Sequence, residues 1–206
     1  MGRGRLITIE GLDGAGKSTL ALGMHCALGE RGIRVELLRE PGGVALSERI
    51  RELVTDPSFR VDPRAEALLY AAARAQLVRE RLRPLLDSDV LVLLDRFVDS
   101  SLAYQGAGRE LGIEEIRAIN LFATGALLPD RTLLLCISPA DGRARQEVRA
   151  AEPDRLELED VRFFDRIAAA YDRLAATEPD RFRVLDASLE PTRVLADALG
   201  AIEDLL

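Results

Sequence analysis

The segment GLDGAGKST, residues 11–19, holds the clearest chemistry in the sequence. It fits the pattern G-x-x-x-x-G-K-[ST] and lies between a predicted strand and a predicted helix. Its glycines let successive backbone N–H groups turn inward around a phosphate, and the following helix N-terminus favours an anion. Lys17 is the only lysine of the chain, and its compact ammonium group suits a tight loop better than a planar guanidinium. The segment predicts a nucleotide-binding loop formed by Gly11, Leu12, Asp13, Gly14, Ala15, Gly16, Lys17, Ser18 and Thr19.

Oxygen-bearing side chains near this loop could hold a divalent cation. Ser18 closes the motif with a hydroxyl, and Asp95 ends the apolar segment LVLLD, which is typical of a buried strand. A carboxylate at such a strand end can hold Mg²⁺ through water; a helix N-cap or a salt bridge is the alternative for Asp95. We also expect Glu40, next to Pro41, to help place the ion. The predicted cofactor is therefore Mg²⁺, with Ser18, Glu40 and Asp95 around it.

The elements that must position these groups alternate along the chain. Five segments have the composition of strands, RLITIE, IRVELLRE, VLVLLD, RTLLLCIS and FRVLDA, and helical patterns separate them. This alternation predicts an α/β fold, an open five-stranded parallel sheet with helices on both faces. At 206 residues and 48% hydrophobic composition, we expect one domain, 1–206, with a charged mobile segment at about 141–160.

Composition excludes some partners. A net charge of −7 argues against a broad basic surface for nucleic acid, and no apolar run approaches the length of a membrane span. The start, MGRGRLITIE, lacks the apolar region of a signal peptide. Cys26 and Cys136 fit no metal or redox motif, so we expect buried thiols in a reducing compartment. We therefore predict a cytoplasmic protein without nucleic-acid or membrane partners.

Two helical segments carry side chains suited to a nucleotide base. Tyr70 and Arg74 are four residues apart and share one helix face, where a ring could stack on a base and a guanidinium could donate to its edge. A core tyrosine beside a surface arginine is the alternative. Ser101, Tyr104 and Gln105 repeat the pattern, and the amide of Gln105 offers both a donor and an acceptor.

Three arginines could clamp the phosphate of an acceptor with forked hydrogen bonds. Arg39 ends the second predicted strand, Arg96 follows Asp95, and Arg51 lies on the helix after EPGG. Arg51 could instead be a solvated side chain.

Four stretches, GLDGAGKSTL, LLREPGG, LLYAAARAQ and DRFVDSSLAYQGAGRE, together resemble the thymidylate kinases, and ATGALLPD adds a weaker match. The resemblance runs through nearly the whole chain. It implies a P-loop NTPase fold with five strands and a short lid, a homodimer, Mg²⁺, and transfer of the γ-phosphate of ATP to dTMP, giving dTDP. Val44 and Ala73 are apolar at two positions where the family pattern has polar residues.

The same resemblance implies roles for single residues. Tyr70 corresponds to the aromatic residue that stacks on thymine, and Arg74 to the arginine that contacts thymine O4. Gln105 suits the N3–H and carbonyl edge of thymine. Tyr104 corresponds to a residue that packs where a ribose 2′-hydroxyl would lie. Asp13 resembles a carboxylate that engages the 3′-hydroxyl region of dTMP.

The phosphate-binding loop contains the anion Asp13 and no arginine, so an arginine that stabilises the transferred phosphoryl group must come from another segment. Other family members carry Arg in the loop, and this chain does not, so we expect the cation from the lid segment DGRARQEVRAAEPDRLE. This segment contains Arg143, Arg145, Arg149 and Arg155. Arg149 is the first choice and Arg155 the second, since DRLE resembles the lid motif. The predicted catalytic residues are therefore Asp13, Lys17, Arg96, Arg149 and Arg155.

Two alternatives to a dTMP kinase stay open. Another P-loop nucleoside or nucleotide kinase would not need the pairing of Arg74 with Gln105. An ATP-binding switch protein would not need the strand-end arginines. A GTPase is excluded, because Asn120 is the only asparagine and Leu121 follows it, so the chain has no Asn-Lys-x-Asp motif.

Overall fold

The computed structural model of the protein describes residues 3–148 and 154–206. Its central sheet contains β1 (Leu6–Gly11), β2 (Val35–Arg39), β3 (Leu91–Asp95), β4 (Arg131–Cys136) and β5 (Phe182–Asp186). The strands lie in the order β2-β3-β1-β4-β5, and every neighbouring pair is parallel. The prediction of a five-stranded parallel sheet is confirmed.

Helices cover both faces of this sheet. They are α1 (Lys17–Glu30), α2 (Ala45–Thr55), α3 (Pro63–Leu77), α4 (Arg83–Asp87), α5 (Val98–Ser101), α6 (Ile113–Thr124), α7 (Pro139–Val148), α8 (Val161–Thr177) and α9 (Pro191–Gly200). Ile7 and Leu93 pack with α1 and α9 on one face, whereas Leu6 and Leu94 pack with α3 and α8 on the other. The central strands are therefore apolar on both sides, as expected for a sheet between two helical layers.

The register of the strands gathers the predicted site residues at one edge. Asp95 is the partner of Ile9 in β1 and of Arg39 in β2, so the carboxyl ends of these three strands lie side by side. Gly11, the last residue of β1, is the partner of Leu135 in β4. Ligands bind at this edge in open parallel sheets.

The helical segment that runs from α3 through α4 is continuous but not uniform. Asp62 caps α3 by accepting a hydrogen bond from the backbone N–H of Arg64 at 2.9 Å. The helix widens to a π-helical stretch at Val78–Leu82 before α4. Pro84 has no N–H to donate to the carbonyl of Glu80, and a widened turn accommodates this loss.

Two smaller features complete the fold. The segment after β3 continues from α5 into a second π-helical stretch, Leu102–Gly108. The prediction that both cysteines are buried is wrong for Cys26, which is exposed because it lies on the outer face of α1, whereas Cys136 is half-buried. None of the helices in the described residues combines the length and the apolarity needed to cross a bilayer.

Candidate active site

The phosphate-binding loop has the backbone that its sequence predicts. Gly14 and Gly16 adopt φ values of 81° and 92°, in the left-handed region that glycine enters without strain. Lys17 begins α1, and its Nζ donates to the carbonyl oxygens of Gly11 at 3.1 Å and Leu12 at 2.8 Å. Burial, and next the charge of Arg96, lower the pKa of Lys17 to about 8. The loop thus carries a buried, poorly solvated cation.

Two of the three predicted metal ligands lie together beside this loop. The hydroxyl of Ser18 donates to Oδ2 of Asp95 at 2.7 Å. A hydroxyl and a carboxylate oxygen are hard ligands, so the pair fits Mg²⁺ bound partly by phosphate oxygens and water. The structure does not bring Glu40 to them. Its carboxylate pairs instead with Arg74, Nη2 to Oε2 at 2.6 Å, in a buried position.

Arg96 is the centre of a charged cluster that joins the loop to the acceptor side. Its backbone has φ 69°, an unfavourable conformation for a residue with a side chain. Its guanidinium donates to Oδ1 of Asp13, to Ser100 Oγ at 3.1 Å and to the Tyr104 hydroxyl at 3.3 Å. Tyr104 in turn donates to Oδ2 of Asp13 at 2.8 Å. Burial alone would raise the pKa of Asp13, but Arg96 and then Lys17 outweigh it and hold the pKa well below its usual value.

Glu10, a residue that the sequence analysis did not select, holds this strained turn in place. Its fully buried carboxylate accepts from the backbone N–H of Phe97 at 2.8 Å, from Ser100 Oγ at 2.6 Å and from the Tyr171 hydroxyl at 2.9 Å. Its position was the only signal, because an acidic residue in the buried strand segment RLITIE requires partners.

Arg74 is buried under the acceptor side, and each of its three nitrogens contacts a polar partner. Nε and Nη2 bind Glu40, and Nη2 also donates to the carbonyl oxygen of Phe97 at 2.8 Å. Nη1 donates to Ser101 Oγ at 2.8 Å and to Oδ1 of Asn120. Four of the five N–H donors of this guanidinium make hydrogen bonds and Nη2 also pairs with Glu40, so a base carbonyl would compete with these partners for Arg74. Its predicted contact with thymine O4 stays a prediction.

A cavity next to Arg96 brings together most of the side chains predicted for the acceptor. It is lined by Asp13, Glu40, Arg51, Tyr70, Arg74, Arg96, Ser101, Tyr104 and Gln105, and also by Thr55, Asp154 and Leu156, which were not predicted. Arg51 donates to the carbonyl oxygen of Pro41 at 3.1 Å at its wall. Arg39 does not belong to this lining. Its guanidinium lies 3.0 Å from Oε2 of Glu48, and 54% of its side chain is exposed.

The predicted lid packs directly on the phosphate-binding loop through α7. A Cβ added at Gly142 would lie 2.8 Å from the carbonyl oxygen of Asp13, and one added at Gly14 would overlap the Gly142 carbonyl. This contact therefore depends on the absence of side chains at both positions. Arg145 of α7 lines a second cavity together with Gly14, Gly16 and Thr19. Arg145 and Arg143 are the two arginines of the lid segment that were not predicted to be catalytic.

The structure describes one of the two lid arginines that were predicted to be catalytic. Arg149 lies outside the described residues. Arg155 is not brought to the loop, because Nη2 binds Oε2 of Glu66 at 2.6 Å and Nε donates to the Val54 carbonyl at 3.0 Å. Glu66 also accepts from Nε2 of Gln105 at 2.9 Å, and the sequence analysis did not select it. The catalytic roles of both arginines stay predictions.

Comparisons with known proteins identify the family of the chain. A family model described as thymidylate kinase matches residues 9–198. The thymidylate kinase of Deinococcus radiodurans is 46% identical over 204 residues, 99% of this chain and 98% of that protein. That of Clavibacter sepedonicus is 47% identical over 198 residues, 96% of this chain and 93% of that protein.

A solved structure extends the similarity to the fold. The crystal structure of thymidylate kinase from Ehrlichia chaffeensis superimposes with a TM-score of 0.79 at 26% identity, covering 98% of this chain and 99% of that one. The P-loop fold and the family resemblance are thereby confirmed over nearly the full length. The chain belongs to the thymidylate kinase family.

Proposed function

We propose that the chain carries out the reaction of its family with the residues gathered at the carboxyl edge of the sheet. In this reaction the γ-phosphate of ATP passes to dTMP, which gives dTDP and ADP. The cluster of Asp13, Arg96 and Tyr104 carries the proposal, because it joins the phosphate-binding loop to the cavity lined by Tyr70 and Gln105. A donor bound in the loop and an acceptor bound in the cavity would meet at this cluster.

On the donor side, the backbone of residues 11–19 holds the phosphates of ATP. Lys17 exchanges the two loop carbonyls that it now contacts for β- and γ-phosphate oxygens, whose negative charge favours its protonated form. The adenosine end occupies the cavity beside Gly16 and Thr19, where Arg145 provides a cationic wall.

Ser18 and Asp95 would hold Mg²⁺ on this side, and the ion would supply positive charge opposite the phosphates of the donor. The hydrogen bond between the two side chains supports this assignment, because it already brings both oxygens together. A contribution of Glu40 would act through Arg74, to which its carboxylate is paired.

On the acceptor side, the base of dTMP stacks on Tyr70 and presents its polar edge to Gln105 and Ser101. Tyr104 packs against the sugar where a 2′-hydroxyl would lie, which favours deoxyribose. Asp13 accepts a hydrogen bond from the 3′-hydroxyl, because its low pKa keeps it ionised.

Arg96 clamps the phosphate of the acceptor. Arg51 assists it from the cavity wall, and Arg39 joins only by leaving Glu48. No general base is required, because the attacking phosphate oxygen is already ionised. Positioning and charge neutralisation then supply the rate acceleration, with Arg149 of the lid as the proposed cation at the transferred phosphoryl group.

The chain forms a homodimer in this proposal. Leu46 and Leu53 on α2, Leu68 on α3, and Leu121 and Phe122 on α6 are exposed, Phe122 at 91%. Since α3 packs against both α2 and α6, these side chains lie on neighbouring helices and offer an apolar surface to a second copy. The location is cytoplasmic, which two free cysteine thiols support.

Release of ADP from ATP and Mg²⁺ with a panel of nucleoside monophosphates tests the function. We expect dTMP to have the highest kcat/KM. Equal or better activity with AMP, CMP or GMP would contradict the assignment. Size-exclusion chromatography with light scattering tests the dimer.

A further inference from the structure

The carboxylate of Glu66 is fully buried on α3 and has a position that connects two parts of the site. Glu66, Tyr70 and Arg74 follow one another at intervals of four residues, so they lie on the helix face directed at the cavity. A buried carboxylate is stable only when other groups satisfy its oxygens. The identity of those groups indicates what Glu66 does.

Three side chains from different parts of the chain meet at this carboxylate. Oε1 accepts from Nε2 of Gln105 at 2.9 Å and from Nε of Arg109 at 3.3 Å. Oε2 accepts from Nη2 of Arg109 at 3.1 Å and from Nη2 of Arg155 at 2.6 Å. Gln105 belongs to the base edge of the cavity and Arg155 to the lid segment.

The contact with Glu66 fixes which end of the Gln105 amide faces a ligand. Both oxygens of the carboxylate accept from guanidinium N–H groups, so they act as acceptors here and not as donors. The amide must therefore turn its NH₂ group toward Glu66, which leaves the carbonyl oxygen for the cavity that Gln105 lines. A carbonyl oxygen binds a ring N–H, such as N3–H of thymine, and repels the lone pair at N3 of cytosine.

The lid segment docks at the same place. Arg155 donates its backbone N–H to the Thr55 carbonyl at 3.1 Å and its Nε to the Val54 carbonyl at 3.0 Å, at the end of α2. Arg109 also donates to Oε1 of Glu159 at 2.5 Å. Lid docking and the orientation of Gln105 therefore share one carboxylate.

We propose that Glu66 is a specificity-determining positioning residue, which orients the Gln105 amide to accept from a pyrimidine N3–H and couples that orientation to the lid through Arg155. The inference rests on the proposed dTMP site. It assigns the rejection of cytosine to a residue that does not itself contact the base.

The test compares kcat/KM for dTMP and dCMP in wild type and Glu66→Gln. An amide at position 66 can donate as well as accept, so Gln105 is free to present either end. We expect the dTMP/dCMP ratio of kcat/KM values to fall about tenfold. The reason is that a Gln105 amide that can turn its NH₂ group toward the cavity no longer repels N3 of cytosine. The matched control is Glu159→Gln. It removes the lid carboxylate that binds Arg109, and Glu159 makes no hydrogen bond to Gln105. This variant should leave the ratio within about twofold of wild type.

A double-mutant cycle separates positioning from a general structural effect. In the Gln105→Ala background, Glu66→Gln should change the dTMP/dCMP ratio no further; an additional tenfold fall would overturn the proposal. If Glu66→Gln does not fold, Arg155→Met keeps the carboxylate and removes only the lid partner. The ratio should then fall about threefold with a raised KM for dTMP, and an unchanged ratio overturns the coupling.

The outcomes also separate this inference from the proposed function. A wild-type enzyme that does not prefer dTMP to dCMP contradicts the substrate assignment itself. A wild type that prefers dTMP, with a Glu66→Gln variant of unchanged ratio, overturns only the role of Glu66.

Discussion

At the phosphate end of the site the functional groups lie within a few residues of the carboxyl ends of β1 and β3, whereas at the base end they come from segments far apart in the chain. Lys17 and Ser18 belong to one loop, and Asp95 and Arg96 are consecutive. Glu66, Gln105 and Arg155 meet only because α3, the segment after β3 and the lid pack together. One end is thus built by a local backbone motif and the other by long-range side-chain pairing.

This difference has an energetic consequence. The phosphate end contains two unfavourable features, a buried lysine and the left-handed backbone of Arg96, and a bound phosphate would offset the first of them. At the base end, in contrast, the buried carboxylate of Glu66 forms salt bridges with Arg109 and Arg155. We therefore expect substitutions at the phosphate end to reduce turnover most, and those at the base end to alter substrate choice.

The largest effect is expected for Lys17→Ala. It removes the only lysine, which we propose reaches the transferred phosphate, so kcat should fall by at least about 10³. Circular dichroism should show an unchanged overall fold, because only the two loop carbonyls that Lys17 contacts lose a partner. A variant that keeps more than a tenth of the wild-type kcat would show that the phosphate end does not depend on this cation.

Substitution of the lid arginines should give the next largest effect. The loss of kcat should be larger for Arg149, which we assign to the phosphate end, than for Arg155, which lies at the base end. Arg149→Ala should lower kcat by roughly 10³, as expected for an arginine that reaches a transferred phosphoryl group. Arg155→Ala should lower kcat much less, because its guanidinium is bound to Glu66 at the base end.

Steady-state kinetics with saturating ATP measures both arginine variants. If Arg149→Ala stays within a factor of about three of wild type, a shift below 1 kcal/mol, the lid position 149 supplies no catalytic cation. The same measurement on Arg145→Ala then identifies whether the arginine beside the loop takes that role.

Gln105→Ala should have a smaller effect on turnover and a clear one on base choice. Loss of one matched polar contact at a buried edge costs about 1–3 kcal/mol, so the preference for dTMP over dCMP should fall by roughly 5- to 150-fold. Ser101→Ala is a useful comparison, because it removes a partner of Arg74 without altering the amide. An unchanged ratio of the two kcat/KM values in Gln105→Ala would contradict the base assignment.

The sequence could predict the phosphate end almost completely because its determinants are local. A glycine pattern dictates the loop, and the apolar segment LVLLD places Asp95 at a strand end. Glu10 and Glu66 could not be identified in the same way. Each is an acidic residue whose importance depends on burial and on partners more than 30 residues away, which no local pattern reveals.

Arg39 and Glu40 show that a local sequence pattern can predict where a strand ends and still not predict the partners of the side chains there. Both were placed correctly at the end of β2, but their side chains pair with Glu48 and Arg74. Position along a strand determines where a backbone ends. The direction of a long charged side chain depends on which opposite charge lies within reach after packing.

The smallest expected effect concerns the pH dependence of stability at the phosphate end. The pKa of Lys17 is about 8 in the folded protein, below its ordinary value of 10.5 in an unfolded chain. Between these two values the unfolded state binds more protons, so the free energy of unfolding should rise with pH. From pH 8 to pH 10 we expect a rise of roughly 1–2 kcal/mol for this single group.

The Lys17→Met variant lacks this titrating group. Comparing its free energy of unfolding with that of wild type cancels the titration of tyrosines and of the other groups that both proteins share. Urea unfolding at pH 7, 8, 9 and 10 should therefore show Lys17→Met as the more stable protein at pH 7, with an advantage that shrinks as the pH increases. A constant difference between the two proteins across this range would mean that Lys17 keeps its ordinary pKa, and that the phosphate end does not store the electrostatic cost described above.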